Sequence, residues 1–213
     1  MKHVGRVLQV QSDSMQHQAA RFCGDHAVVL GGSMAGLLAA RALSDHYRLV
    51  TIVERDTLSS GAEPRRGVPQ GLHSHGLLAS GLHALEELLP RFAQGAAARG
   101  GMFRDIGGSS DWYIGGVKSL RVHTGTSGLL LSRPALEAYV RERVLACARV
   151  SLVSGHVARG LLGSARRVTG VSVAARNTQH APRELAADLV VDTTGRGSQL
   201  PRWLEALGIP APR

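Results

Sequence analysis

Residues 27–43, AVVLGGSMAGLLAARAL, constrain the fold of this chain more than any other stretch. Ala27 to Leu30 form a continuous apolar run, the pattern of a strand buried on both faces. The run meets Gly31-Gly32-Ser33-Met34-Ala35-Gly36 and passes into a series of good helix formers. The order is strand, tight turn, helix. Gly31 and Gly36 fill the first and last glycine positions of the fingerprint Gly-x-Gly-x-x-Gly, and Ser33 stands where the middle glycine is expected.

In that fingerprint the first glycine permits the sharp turn, the second lets a pyrophosphate approach the backbone, and the third lets helix and strand pack closely. The start of the helix offers free N–H groups, at Met34 and Ala35 among others, and a partial positive charge. The Ser33 hydroxyl is expected to donate to a phosphate oxygen. Residues 48–53, RLVTIV, read as a second strand that ends on Glu54-Arg55-Asp56. Glu54 lies 23 residues after Gly31, where an acid accepts hydrogen bonds from an adenosine ribose and disfavours a 2′-phosphate. An ordinary glycine-rich strand–helix turn is the alternative. The strand before, the helix after and the acid at this distance favour a dinucleotide site in a βαβ unit with a right-handed crossover.

Beyond this unit, residues 57–72 form a polar loop containing Pro64 and Pro69. The spacing of leucines over 77–89 predicts an amphipathic helix, stopped by Pro90. Short alternating runs between 102 and 131 predict a strand meander, an insert at about 100–131. Ser132 as N-cap and Pro134 in the first turn open a helix to about Ala148. A strand at 150–153, a hairpin from 157–162 and 168–175, one buried strand over 185–191 and a short helix at 200–207 complete the reading.

The chain has 213 residues, 44% hydrophobic and 19% charged, a globular composition. No apolar run reaches the length of a membrane span, and the first twenty-five residues lack the apolar stretch of a secretory signal. They are expected to form a loose tail, and the expected location is the cytoplasm. The net charge is +9. Only Lys2 and Lys118 are lysines, so 23 of the 25 basic residues are arginine, scattered without runs longer than a pair. With 4% aromatics there is no stacking platform, so nucleic acid is not an expected partner. Cys23 and Cys147 make no metal-binding spacing and are expected to be inert thiols, a disulfide between them being the alternative. His73-Ser74-His75 and His83 lack a completing carboxylate or cysteine, so no metal is expected, and a loop histidine near the cofactor is the better reading. Trp112 and Trp203 are read as core or interface residues.

GGSMAG with VERD, then RRGVPQGLHSH, SRPALE and VVDTTGRGSQLPRWLEALG, taken together and in this order, resemble the FAD-dependent monooxygenases related to the aromatic hydroxylases. The resemblance runs from about His26 to the end and implies an α/β, Rossmann-like FAD-binding domain over 26–213. It implies that Gly31, Gly32, Ser33, Met34, Ala35 and Gly36 line the pyrophosphate of FAD, and that Glu54, with Arg55 beside it, holds the ribose. Arg65 or Arg66 would reach the phosphate or flavin side, and Arg133 would face the cofactor. Asp192-Thr193-Thr194-Gly195 matches the family's second cofactor turn, with Thr194 and Gly195 as its contacts. Thr194 stands where the hydroxylases carry an aspartate, as in halogenase-like and reductase-like branches. Relatives continue into a further FAD-binding segment and a substrate-facing sheet. The expectation is therefore a C-terminally truncated domain, a fragment or one completed by a separate chain or oligomer. The implied function is a flavoprotein oxidoreductase that takes electrons from NAD(P)H and oxidises a small organic substrate. The flavin carries that chemistry, so no side chain is assigned as catalytic base.

Overall fold

The computed structural model describes residues 22–59, 61–65, 68–73, 75–176 and 181–210. The chain opens with β1 (Gly24–Leu30), α1 (Met34–Leu43) and β2 (Tyr47–Glu54). Next come β3 (Gly76–Leu77), α2 (Ala79–Leu88), α3 (Phe92–Ala98), β4 (Met102–Asp105), β5 (Tyr113–Ile114), β6 (Val117–Lys118) and β7 (Ser127–Leu130). The last part holds α4 (Arg133–Leu145), β8 (Val150–Ser154), β9 (His156–Ser164), β10 (Arg167–Ala175), β11 (Arg183–Ala186), β12 (Leu189–Asp192) and α5 (Leu200–Ala206).

The centre is a parallel sheet in the order β12-β1-β2-β8. Its strands are apolar on both faces because both are covered. Ala27 and Val29 of β1 and Val50 and Ile52 of β2 point into a core shared with Leu37, Leu136 and Val140 of the helices. Val28, Leu30 and Val53 point the other way, against Val171, Val173 and Trp203. That second cover is the antiparallel sheet β11-β10-β9, joined by α5. A third sheet, β3-β7-β4, and the small hairpin β5-β6 form the insert. No helix among the described residues is long and apolar enough to cross a membrane.

The βαβ unit and the hairpin of β9 and β10 match the sequence pattern, and Ser132 caps α4 by accepting from the Ala135 N–H at 3.3 Å. The strands expected over 102–131 are present but form no meander: β4 pairs with β7, and β5 with β6 in a separate hairpin. Two further expectations need correction. The single strand over 185–191 is two strands in two sheets: β11 pairs antiparallel with β10, and β12 pairs parallel with β1. Asp188 holds the corner between them, its carboxylate accepting from the N–H groups of Asp25 and His26 at the start of β1. The helix over 77–89 begins only at Ala79, because Gly76 and Leu77 pair with β7. That helix ends at Leu88, just before Pro90, as the pattern predicts; Arg91 then turns the chain at φ 64°, and the Glu86 carboxylate accepts from the N–H groups of Arg91 and Ala93 to start a separate helix, α3. Of the two tryptophans, Trp203 packs on the second core, whereas Trp112 is about half exposed. Both cysteines are free thiols. The expected tail falls mostly on residues 1–21, outside the described residues.

Candidate functional site

Register brings the site together. Leu30 pairs with Val53 and with Asp192, and Glu54 with Ser154, so the turns after β1, β2 and β12 meet at the carboxyl edge of the sheet. Ligands bind at this edge in open α/β sheets.

At the first turn Gly31 has φ +100°, and a Cβ there would meet Thr193 Oγ1 at 2.8 Å. A Cβ on Gly36 would lie 1.8 Å from the Gly31 carbonyl oxygen, so the helix can leave the turn this tightly only with glycine. These are the roles of the first and third fingerprint glycines. Ser33 sits at the N-cap of α1 in extended conformation and makes no side-chain bond to that helix. The first-turn N–H groups of Met34 and Ala35 therefore receive no side-chain cap, which leaves that end suited to an anion. The Ser33 hydroxyl does not point its proton toward a ligand, as the sequence reading expects. It donates to Glu137 Oε2 at 2.7 Å and accepts from Arg133 Nη2 at 3.1 Å.

Glu54 is 4% exposed and faces the glycine turn. Its Oε2 accepts from the Gly32 N–H at 2.6 Å, and its Oε1 accepts from the Asp56 N–H at 2.8 Å and lies 3.2 Å from Arg65 Nη1. A carboxylate offers about four acceptor positions. Among the described residues three are taken, and the one left is on Oε2, beside Gly32. Arg55 is exposed at the rim, with Nε 3.9 Å from Asp56 Oδ1.

Arg65 is drawn inward by three acids. Its Nε and Nη2 donate to Glu137 Oε1 at 2.9 and 2.7 Å, its Nη1 reaches Asp56 Oδ2 at 3.2 Å and Glu54, and Nη2 also donates to the Gly32 carbonyl at 3.1 Å. Burial alone would lower its pKa, but attraction to Glu137 and Glu54 outweighs this and raises it above the ordinary arginine value. Arg66 lies outside the described residues. Arg133, at the start of α4, is 4% exposed. Its Nη1 is 3.0 Å from Glu137 Oε2 but lacks hydrogen-bond geometry, so a buried donor is left without a hydrogen bond among the described residues. His75 has its pKa lowered, first by burial and then by the charge of Arg133.

The second turn is built on Asp192. Its Oδ1 accepts from both the N–H and the hydroxyl of Thr194, at 2.7 and 2.6 Å, and its Oδ2 accepts from Ser198 Oγ. Thr194 thus turns its hydroxyl into the turn rather than outward. Thr193 ties this turn to the first, donating from its N–H and its hydroxyl to the Leu30 carbonyl. Gly195 follows with φ +70° and open space beside it. Between the two turns lies a cavity of about 200 Å³, lined by Gly31, Glu54, Arg55, His156, Thr194 and Trp203 among others.

Sequence reasoning missed Glu137, Asp56 and Thr193. Glu137 stands four residues after Arg133 on α4, a spacing that puts both on one helix face, so its pairing with Arg133 was legible. Its bonds to Ser33 and Arg65 were not.

No protein-family profile matches the chain. It is 38% identical over 198 residues to Protein Rv3254 of Mycobacterium tuberculosis (strain ATCC 25618 / H37Rv), a match that covers 88% of this chain and 41% of that protein. Its fold matches the crystal structure of PqsL, described as a probable FAD-dependent monooxygenase from Pseudomonas aeruginosa, with TM-score 0.64 at 18% identity over 86% of this chain and 46% of PqsL. It also matches the myxobacterial chondrochloren halogenase CndH, described as a variant of FAD-dependent halogenases, with TM-score 0.61 at 17% identity over 83% of this chain and 38% of CndH. The chain therefore spans less than half the length of each of these three proteins. At such identities the solved structures establish a shared fold: an α/β arrangement around a central parallel sheet, found in FAD-dependent monooxygenases and halogenases.

Proposed function

We propose that this chain binds FAD by its ADP half and serves as the FAD-binding part of a flavoprotein oxidoreductase of the monooxygenase type. The observation that carries this reading is the Glu54 carboxylate, buried at the tip of β2, bonded to the glycine turn and lining the cavity, with one acceptor position left among the described residues.

The residues present fit the cofactor. Gly31 and Gly36 leave a cradle that a Cβ would fill, Ser33 does not cap the start of α1, and Arg133 keeps a buried donor without a hydrogen bond among the described residues. In this reading Gly31 to Gly36 hold the pyrophosphate and Glu54 accepts from a ribose hydroxyl, with Arg55 at the rim. Thr194 and Gly195 present their backbone to the flavin side, and Arg133, with Arg65 or Arg66, supplies positive charge. When bound, FAD supplies the redox chemistry, receiving electrons from NAD(P)H and activating oxygen for transfer to a small organic substrate. The protein binds, orients and shields.

A flavin-dependent halogenase or reductase is the second reading. It is favoured by Thr194, which replaces the expected aspartate and spends its hydroxyl on Asp192. Product analysis with NAD(P)H, with and without halide, separates the two. The outward apolar residues of the insert, Met102 and Leu130 on paired strands and Ile114, Val117 and Leu120 beyond them, are where a completing polypeptide or a second copy would pack in a cytoplasmic enzyme.

The test is a flavin absorbance spectrum of the purified chain, followed by titration with FAD and with NADH. Weak, saturable FAD binding that exceeds NADH binding is expected, and Glu54→Gln should weaken it about tenfold, some 1.4 kcal/mol. A protein that stays colourless with added FAD overturns the reading.

A further inference from the structure

Ser33 is the one departure from the dinucleotide fingerprint, and its side chain is held by α4. We propose that Glu137, with Arg133, is a positioning residue for the glycine turn. It draws the Ser33 hydroxymethyl toward α4 and away from the pyrophosphate path, so that serine takes the place of the missing glycine. This rests on the FAD-binding reading above.

The geometry is specific. Glu137 is buried, with 4% of its surface exposed, and both of its carboxylate oxygens are engaged. Oε1 takes two donors from Arg65, and Oε2 takes the Ser33 proton at 2.7 Å and faces Arg133 Nη1 at 3.0 Å. A hydroxyl has one proton. While Glu137 holds it, and Arg133 Nη2 donates to the same oxygen, Ser33 has nothing to give a phosphate. What is left is lone-pair density, which phosphate oxygens repel. Turned toward α4, the hydroxymethyl keeps both its bulk and those lone pairs off the pyrophosphate path.

Ser33 lines the cavity beside Glu54, whereas Glu137 lines a separate small recess with Arg133, Pro134 and Arg141. The pull on Ser33 is thus directed out of the ligand space. The same carboxylate braces the neighbouring residue, because the Arg65 it holds also donates to the Gly32 carbonyl. One acid on α4 fixes both Gly32 and Ser33.

A double-mutant cycle tests this. FAD and ADP dissociation constants are measured for the unaltered chain, Ser33→Gly, Glu137→Gln and the double variant. Glu137→Gln should weaken FAD and ADP about tenfold when Ser33 is present and less than threefold when residue 33 is glycine. Thermal unfolding is followed on the same four proteins. A purely structural role lowers the melting temperature equally in both backgrounds and leaves the affinity loss equal too, and that outcome overturns the proposal. If Glu137→Gln does not fold, Glu137→Asp, which retracts the carboxylate by one methylene, replaces it under the same criterion. An unaltered chain that binds neither FAD nor ADP removes the FAD-binding reading and this proposal together. Binding with equal losses in both backgrounds removes this proposal alone.

Discussion

The carboxyl edge of the parallel sheet and the insert over 102–131 handle polar and apolar side chains in opposite ways. At the sheet edge, Glu54, Arg133 and Glu137 are buried, and their partners come from up to 104 residues away. In the insert, Asp105 accepts from the Gly108 and Thr124 N–H groups and Asp111 pairs with Lys118 and Arg121, while Leu120 is 89% exposed and Ile114 73%. Charges can be taken out of water only where several segments converge to replace the lost hydration. In the insert the side-chain hydrogen bonds of the acids are local, and although Leu129 joins the main core, Ile114, Val117 and Leu120 face outward. The first region is the candidate ligand site, and the second leaves large apolar side chains exposed.

The contrast breaks most severely at Gly36. Gly36→Ala places a Cβ against the Gly31 carbonyl oxygen, and either the turn or the helix must move. A loss of about 3 kcal/mol or more is expected in chemical denaturation, together with loss of FAD binding. An alanine variant of near-native stability would show that the close approach does not constrain the turn.

Acid sharpens the comparison from the other side. Burial raises the Asp105 pKa, but hydrogen bonds from the Gly108 N–H and from the N–H and hydroxyl of Thr124, with the charge of His123, outweigh this and lower it from 3.8 to about 2. The folded value lies below the unfolded one, so the clamp is complete above about pH 4 and is lost as pH falls toward 2. The two tryptophans report separately, Trp112 from the insert and Trp203 from the second core. In a Trp203→Phe background, Trp112 emission should change over that window, and Asp105→Asn should remove the change by imposing it at every pH. A Trp112 signal that titrates identically without the acid would sink the assignment.

The smallest expected effect is at the exposed apolar residues. Leu120→Ser should alter stability by no more than about 0.5 kcal/mol, because little apolar area is lost from the core. It should reduce self-association in size-exclusion chromatography if this face packs against a second copy. A stability loss of several kcal/mol would show that Leu120 is covered within the chain.

Much of the fold was legible because it is written between neighbours. The apolar run 27–30, the helix after Gly36 and the strand ending at Glu54 follow from periodicity and from the conformational freedom of glycine. The split of 185–191 was not legible, since an apolar run pairs equally well with either sheet until Asp188 binds the start of β1. Arg65 and Arg133 were readable as candidates near the turn. That both are tied to one acid on α4 was not.

The sequence by itself determined the βαβ unit, the two fingerprint glycines and the acid at the end of the second strand, because each depends on residues a few positions apart or on a fixed strand–helix–strand distance. Tertiary structure alone decided where the Ser33 proton goes, which acids hold Arg65 and which apolar side chains are left outside. Those outcomes depend on groups far apart in the chain, and burial selects them only once the segments have packed.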